Sequence, residues 1–393
     1  MFLLGGTVIT SATDLTNASY CEFAFLRALD AKLGRIDRVD ETPDPMLQRA
    51  GRLGDEHEAR VLADYVERFG DGVVEIARPE RLSVENLEAA ASATARAFAD
   101  RADVVFQATF FDGSFVGFAD FIVHLGDGVY EVQDTKLARS ARVTALLQLA
   151  AYGEQLQRIG VTTGETVRLV LGDLTESEHR LADILPVYRN RRARLQRIIA
   201  ERLADTEPVA WGDSRYTICG RCDTCTIEVD KHRDLLLVAG MRLLQRARLV
   251  DAGITTIDQL ASSTGPVAGV SQTTVDGLRR QAQLQVAPHD ENEPPEVDLY
   301  FAGALAALPA PDPGDIFFDF EGDPLYLEQK AAESARAPQW GIDYLFGVVE
   351  TDETFVPFWA HTLAEERQAF IDFLTYVEVR RAQDESLRAA LAA

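Results

Sequence analysis

With 393 residues and 47% hydrophobic composition, the chain is long enough for two or three domains with buried cores. A net charge of −24 argues against a nucleic-acid partner held by overall charge, so any phosphate contact must come from local patches or from bound cations. The apolar opening MFLLGGTVIT lacks a basic n-region and runs into Thr10 and Ser11, and no later segment has the apolar length of a membrane span. These features predict a soluble, cytoplasmic protein.

In chain order, Met46 to Phe69 has helical periodicity, with Leu53, Val61, Leu62 and Tyr65 on one apolar face. Three strands follow. Val104 to Phe111 turns at Asp112-Gly113-Ser114 into Phe115 to Leu125, which turns at Gly126-Asp127-Gly128 into Val129 to Asp134. Each turn has the Asp-Gly chemistry that closes hairpins. A helix from about Val143 to Ile159 and a strand from Glu165 to Leu171 complete the pattern. Arg189, Arg191, Arg192, Arg194, Arg197 and Arg202 then fall on one predicted helix, either as a phosphate-binding patch or as a solvated face. The α/β pattern runs over residues 1–230, and residues 231–288 look wholly helical. An acidic, proline-containing linker that begins at His289 extends over 289–314, and a fresh α/β pattern over 315–393 opens on a strand from Asp315 to Phe320.

All four cysteines read as one site. Cys219, Cys222 and Cys225 form a C-x-x-C-x-x-C run, and Cys21 lies near the other end of the same region. Three thiolates from one turn-rich segment and a fourth delivered by folding suit a 4Fe-4S cluster, in which each iron takes one sulfur. Zinc also accepts four thiolates, although its structural sites usually use two separated C-x-x-C pairs. Disulfides fit least, because nothing directs the chain to an oxidising compartment.

A second constellation lies within the first region. Asp120 is on the second strand and Asp134 at the end of the third, so adjacent antiparallel strands can bring two carboxylates to one hard cation. Lys136 projects to the same side as Asp134, because side chains alternate along a strand. A metal activates water and steadies the departing oxygen, and an ammonium beside it neutralises charge building on a phosphorane. The chain contains only four lysines, Lys32, Lys136, Lys231 and Lys330, which makes one at this place pointed; the plainer alternative is an exposed ion pair. His57 stands in the preceding helix, within Gly54-Asp55-Glu56-His57-Glu58. Gln148 and Tyr152, four residues apart, share a face of the following helix. His124, His179, His232, His289 and His361 have no such company.

This set resembles the RecB-like branch of the PD-(D/E)XK nuclease family, with its helix histidine, Gly117-Phe118-Ala119-Asp120 as G-x-x-D, Asp134-Thr135-Lys136 as D-x-K, and Gln148 to Tyr152 as Q-x-x-x-Y. The resemblance implies an α/β, restriction-endonuclease-like core. It implies Mg or Mn bound by His57, Asp120, Asp134 and the backbone carbonyl of Thr135. Lys136 would then be catalytic with Asp134 and Asp120, and Gln148 and Tyr152 would contact DNA or orient the site. A subset of the family, including the AddB and CRISPR-associated nucleases, carries one cysteine before this core and three after it around a 4Fe-4S cluster. Cys21, Cys219, Cys222 and Cys225 match that layout, with a tighter last spacing.

Downstream, Leu249 to Ala261 and Gly265 to Ala282 resemble helix-hairpin-helix DNA-binding units, with an ordinary helical bundle turning at Gly253 and Gly269 as the alternative. The strand Ile316-Phe317-Phe318-Asp319-Phe320-Glu321 resembles the opening of an RNase H-like (YprB-type) exonuclease domain, with Asp319 and Glu321 as weaker candidates for a second site. That region is expected to be truncated. The implied function is metal-dependent cleavage of DNA, at single strands or ends, in repair, recombination or defence, with a helicase as a candidate partner. The alternatives are a catalytically idle nucleic-acid-binding scaffold and an RNA-directed nuclease.

Overall fold

The computed structural model describes residues 1–39, 43–288, 297–299, 302–303, 305–312, 314–328 and 340–383. The expected linker from His289 lies largely outside these residues. The chain divides into two compact units, Met1–Glu296 and Val297–Ala393.

The first unit opens with a hairpin of β1 (Phe2–Leu4) and β2 (Thr7–Ile9), closed by Gly5 and Gly6, both at positive φ as the tightest hairpin turns require. Helices α1 (Ala12–Tyr20) and α2 (Glu22–Lys32) follow, α1 started by a capping box between Ser11 and Asp14. Then come α3 (Pro45–Phe69), β3 (Val73–Glu75), α4 (Val84–Ala99), β4 (Val104–Phe111), β5 (Val116–Gly126) and β6 (Val129–Lys136). Next are α5 (Val143–Arg158), β7 (Thr162–Thr163), β8 (Thr166–Leu171), β9 (Glu176–Arg180) and α6 (Leu181–Ala204). The seven-stranded sheet runs β3-β4-β5-β6-β8-β9, with β7 also paired to β6. The β4-β5-β6 meander is antiparallel, whereas β8, reached through α5, lies parallel to β6. The expected helix, three-strand meander, helix and strand occur in that order, with β3 and α4 inserted between α3 and the meander and β7 before β8.

Both faces of this sheet are covered. Val105, Ile122, Val132 and Leu169 face the main core with Leu149, Leu156 and Leu26. On the other face, Val104, Phe106, Phe121, Val123 and Val170 pack against Val61 and Tyr65 of α3. A polar seam fastens α3 there: the Tyr65 hydroxyl donates to Gln133 Oε1, and Gln133 Nε2 donates to Glu131 at 2.6 Å.

After the sheet, α7 (Asp223–Lys231) packs on the main core through Cys225, and α8 (Leu243–Asp251), α9 (Ile257–Ser262) and α10 (Gln272–Val286) surround a separate small core of Leu235, Leu249, Leu260 and Val275. Gly253, Gly265 and Gly269 turn between these helices at positive φ.

The second unit has an antiparallel sheet of β10 (Ile316–Leu327), β11 (Trp340–Glu350) and β12 (Phe355–Trp359), with α11 (Leu363–Gln383) packed on one face through Phe373. Among the described residues, no helix is long and apolar enough to cross a membrane.

Candidate metal centres

The four cysteine sulfurs lie within 4.8 Å of one another. Cys21 sits between α1 and α2, Cys219 and Cys222 lead into α7, and Cys225 is in its first turn. Sγ of Cys21 is 3.5 Å and Sγ of Cys219 is 3.8 Å from Sγ of Cys225. The backbone N–H groups of Ala24 and Cys222 donate to the sulfurs of Cys21 and Cys219. The thiols of Cys222 and Cys225, more than the Ala24 amide, hold the Cys21 thiol far down, at about 4, and the Cys21 and Cys222 sulfurs push Cys225 up. Four sulfurs gathered this closely, two of them buried and two half-buried, present a donor set for a thiophilic metal. The donor set, all thiolate, fits both a single tetrahedral ion and a cluster. Zinc–sulfur bonds of about 2.3 Å in a tetrahedron place sulfurs about 3.8 Å apart, and a cubane, with one cysteine for each of its irons, spreads them further.

The second centre lies where β4 and β5 change face. Pairing runs from Phe106↔Phe121 to Ala108↔Ala119, leaving Gln107 and Asp120 opposite one another. On one side of that gap Val105 and Ile122 face the main core; on the other, Ala108 and Ala119 do. The alternation has slipped by one residue in both strands, and Gln107 absorbs it at φ 54°, a conformation unusual for a residue with a side chain. Asp120 is thereby released from the regular inside–outside pattern. Its Oδ2 accepts from the backbone N–H of Thr135 at 3.2 Å and from the Thr135 hydroxyl at 3.4 Å, so it reaches across to β6.

Asp134, next to Thr135, is fully buried, and its Oδ1 has no hydrogen-bond partner. Lys136 Nζ stands 2.5 Å from Oδ2. Burial first, and then the Asp120 carboxylate, push the Asp134 carboxyl well above the usual range, with Lys136 acting against them. Burial alone would lower the Lys136 amine, but Asp134 and Asp120 together raise it, so it keeps its proton. A fully buried carboxylate with one oxygen unpartnered, beside a second carboxylate, is an arrangement that a hard cation can join.

His57 belongs to the buried stripe of α3 with Val61 and Tyr65. Its Nε2 lies 3.2 Å from the carbonyl of Val170, which can only accept, so Nε2 carries the hydrogen. Nδ1 is left buried without a hydrogen-bond partner. Burial lowers the His57 pKa, keeping the ring neutral and that nitrogen a lone-pair donor. His57 thus has the chemistry of a ligand, but the three side chains do not converge as tightly as the cysteines: among the described residues, the cysteines form the one set of three or more candidate ligands within 4.8 Å.

Tyr152 and Gln148 reach the same place from α5. The Tyr152 hydroxyl accepts from Gln148 Nε2 at 3.4 Å, and burial pushes its pKa strongly up. A Cβ on Gly117 would lie 2.6 Å from Tyr152 Cε1, so the glycine is where the ring packs on β5.

Glu58 stands out only in the structure. It accepts from Gln107 Nε2 at 2.8 Å, and burial, followed by the Asp120 charge, raises its carboxyl. Its position directly after His57 was the available signal; the backbone turn at Gln107 that meets it left none.

The arginines of α6 are not a free patch. Arg189 and Arg192 pair with Glu154, Arg192 with Asp112, Arg194 with Glu22 and buried Arg202 with Asp30, so four of the six are spent on ion pairs that tie α6 to its neighbours. Asp319 and Glu321 lie exposed on β10 of the second unit, where Asp319 Oδ1 accepts from the N–H of Phe320 at 2.9 Å.

No family model and no curated protein matches the chain. One solved structure with some likeness, a crystal structure of an exonuclease candidate from Eubacterium rectale, is 16% identical over 59% of this chain and 94% of its own, with a TM-score of 0.33. A likeness of that size assigns nothing.

Proposed function

We propose that the first unit is a divalent-metal-dependent nuclease of RecB-like, PD-(D/E)XK type, acting on DNA. The observation that carries this reading is Asp134, fully buried, with Oδ2 paired to the Lys136 ammonium and Oδ1 without a hydrogen-bond partner, set beside Asp120 at the end of β6. Asp120, Asp134, His57 through Nδ1 and the carbonyl of Thr135 would hold Mg or Mn. When bound, that ion supplies a polarised water and a Lewis acid at the departing oxygen. The ammonium of Lys136, kept charged by its two carboxylate neighbours, neutralises charge that builds on the phosphate in the transition state. Gln148 and Tyr152 brace β5 from below and orient Asp120.

The cysteines are read as structural, fastening the α1–α2 turn to the segment ahead of α7. The 3-plus-1 partition favours a 4Fe-4S cluster. A second reading, one zinc ion, is favoured by the close spacing of the sulfurs.

The test is cleavage of labelled single-stranded DNA, duplex DNA and RNA by the full chain with Mn, with EDTA, and with Asp134→Ala or Lys136→Ala. Cutting of DNA that needs Mn and is lost in both variants supports the reading. Undiminished cutting in EDTA or in both variants overturns it, and metal and DNA binding without cutting leaves a scaffold.

A further inference from the structure

Resting on the reading of the four cysteines as a metal site, we infer that a cavity beside Cys21 and Cys222 is the route by which a small metal-chelating molecule reaches that site, to load its metal and to remove it. The cavity, of about 680 Å³, lies in the first unit between the α1–α2 turn, α2, Ile36 to Val39 and the start of α7. That is the size of a small-molecule site, for which roughly 300–1,000 Å³ is usual. Cys21 and Cys222 both stand in its wall, Cys222 half-buried and Cys21 buried.

The cavity follows from what α2 does not carry. Ala24, Ala28 and Ala31 recur at spacings of four and three residues, so they share one face of the helix, and all three line the cavity. On the opposite side of α2, Leu26 and Leu29 are completely buried in the main core. Large residues thus anchor the helix on one side, while side chains that end at Cβ leave a gap on the side of the cysteines. Exposed Lys32 and Asp223 also line this gap, so it suits water and a charged chelator.

The way the site is assembled calls for such a route. Cys219, Cys222 and Cys225 come from one short segment, whereas Cys21 is brought to them by the packing of α1 and α2 against α6 and of α2 against α7. Cys225 is fully buried. Once the unit has folded, the sulfurs that border open space are the ones an incoming molecule meets. Tyr20, also in the wall, accepts from Arg221 Nε at 2.9 Å, which ties together the residues just ahead of Cys21 and Cys222. Removal is a substitution at the metal: a donor atom of the chelator takes the place of a sulfur, and the freed thiolate takes a proton from water. Loading is the reverse, and neither needs an oxidant or a reductant.

The experiment follows loss of iron or zinc from the full chain, purified anaerobically, at a series of EDTA concentrations, with the metal that remains measured by elemental analysis after desalting. Release is expressed as the fraction of the metal each protein carries. A chelator that enters the cavity makes the rate rise in proportion to its concentration, whereas metal that leaves only when the site opens by itself does so at one rate whatever the EDTA. The wild type should show the proportional rise. Ala28→Phe and Ala31→Phe, which fill the cavity from α2, should lose it; Ala28→Leu, a smaller filler, serves if neither carries metal. A wild-type rate independent of EDTA overturns this inference and leaves the cysteine site standing. So does the full wild-type dependence in the filled variants. Protein that holds neither iron nor zinc overturns the metal reading of the cysteines and this inference with it.

Discussion

Gly117 and Tyr152 occupy the same space: any Cβ at position 117 would stand 2.6 Å from Cε1 of the tyrosine ring. Two motif positions 35 residues apart in sequence are thus one packing contact on the strand that leads to Asp120.

Gly117→Ala should displace that ring. The crowding extends to Phe115, whose Cε1 would be 2.9 Å from the new carbon, so neither aromatic can yield alone. The expected cost is about 1–3 kcal/mol in chemical denaturation. Tyr152→Leu in the same background should recover most of it; no recovery would mean that the contact does not limit the site.

Much of the sheet was legible because its signals are local. The Asp-Gly turns at Asp112-Gly113 and Asp127-Gly128 and the spacing of Val61 and Tyr65 act within a few residues, and β4, β5, β6, α3 and α5 lie where they place them. The helices α1, α2 and α4 went unread. Alanine-rich α4 shows little periodic contrast, and α1 and α2 join at Cys21 with no glycine or proline between them. The slip of face at Gln107 was hidden for a different reason: VVFQATFF buries residues on both faces, so no alternation exists to be seen breaking. The α6 arginines misled because their partners, Glu22, Asp30, Asp112 and Glu154, come from distant parts of the chain.

Arg202 and Asp30 make the most deeply buried of those pairs, with Nε 3.0 Å from Oδ1 and side chains 1% and 0% exposed. Asp30 Oδ2 also accepts from the N–H of Val209 at 2.8 Å, so α2, α6 and the chain after α6 meet on one carboxylate. Removing one partner strands the other charge. Asp30→Ala should therefore cost about 3–5 kcal/mol, while the joint replacement Asp30→Leu with Arg202→Met should cost much less. Equal losses in urea denaturation would show that the pair matters through shape and not through charge.

Acid should loosen the first unit in a defined order. Burial alone would raise Glu22, but the Arg194 fork at 2.7 and 2.8 Å and the N–H of Thr217 outweigh it and hold the carboxyl below its usual value of 4.5. Asp234 is likewise held below 3.8: burial opposes, and Arg246, Leu236 N–H and Trp211 prevail. A depressed folded value means that these groups stabilise the fold above their unfolded pKa and cease to as pH falls through the folded one. Melting temperature should be flat near neutrality and fall below about pH 4.5. Glu22→Gln should melt lower at pH 7 and show a shallower acid fall; an unchanged slope would remove Glu22 from the cause.

A metal or cluster held by the four cysteines would close a loop of about two hundred residues between Cys21 and Cys219 and restrain the chain strongly. Cys21→Ser should reduce bound metal and lower the melting temperature of the first unit. Metal analysis of anaerobic protein decides what is bound: about four iron per chain with visible absorption for a cluster, or one zinc without it. Full stability after Cys21→Ser would mean that the sulfurs gather without holding anything.

The last prediction separates the two acidic places. Asp319 and Glu321 stand on one side of β10, both exposed, and Asp319 uses an oxygen on its own neighbour's N–H. Nearby acids are similarly occupied within the second unit: Glu366 Oε1 accepts from the N–H of Asp343 at 2.8 Å, and Glu350 pairs with Arg380 at 2.8 Å. Exposed carboxylates with such partners lack the complete burial that sets Asp134 apart, and a cation held by two solvated acids binds weakly. Asp319→Ala should leave both Mn affinity and DNA cleavage within about twofold of wild type, because substitutions at such surface positions act little. Asp120→Ala should remove cleavage while the melt of the second unit stays where it was. The reverse result, cutting lost at Asp319 and kept at Asp120, would move the active site to the second unit.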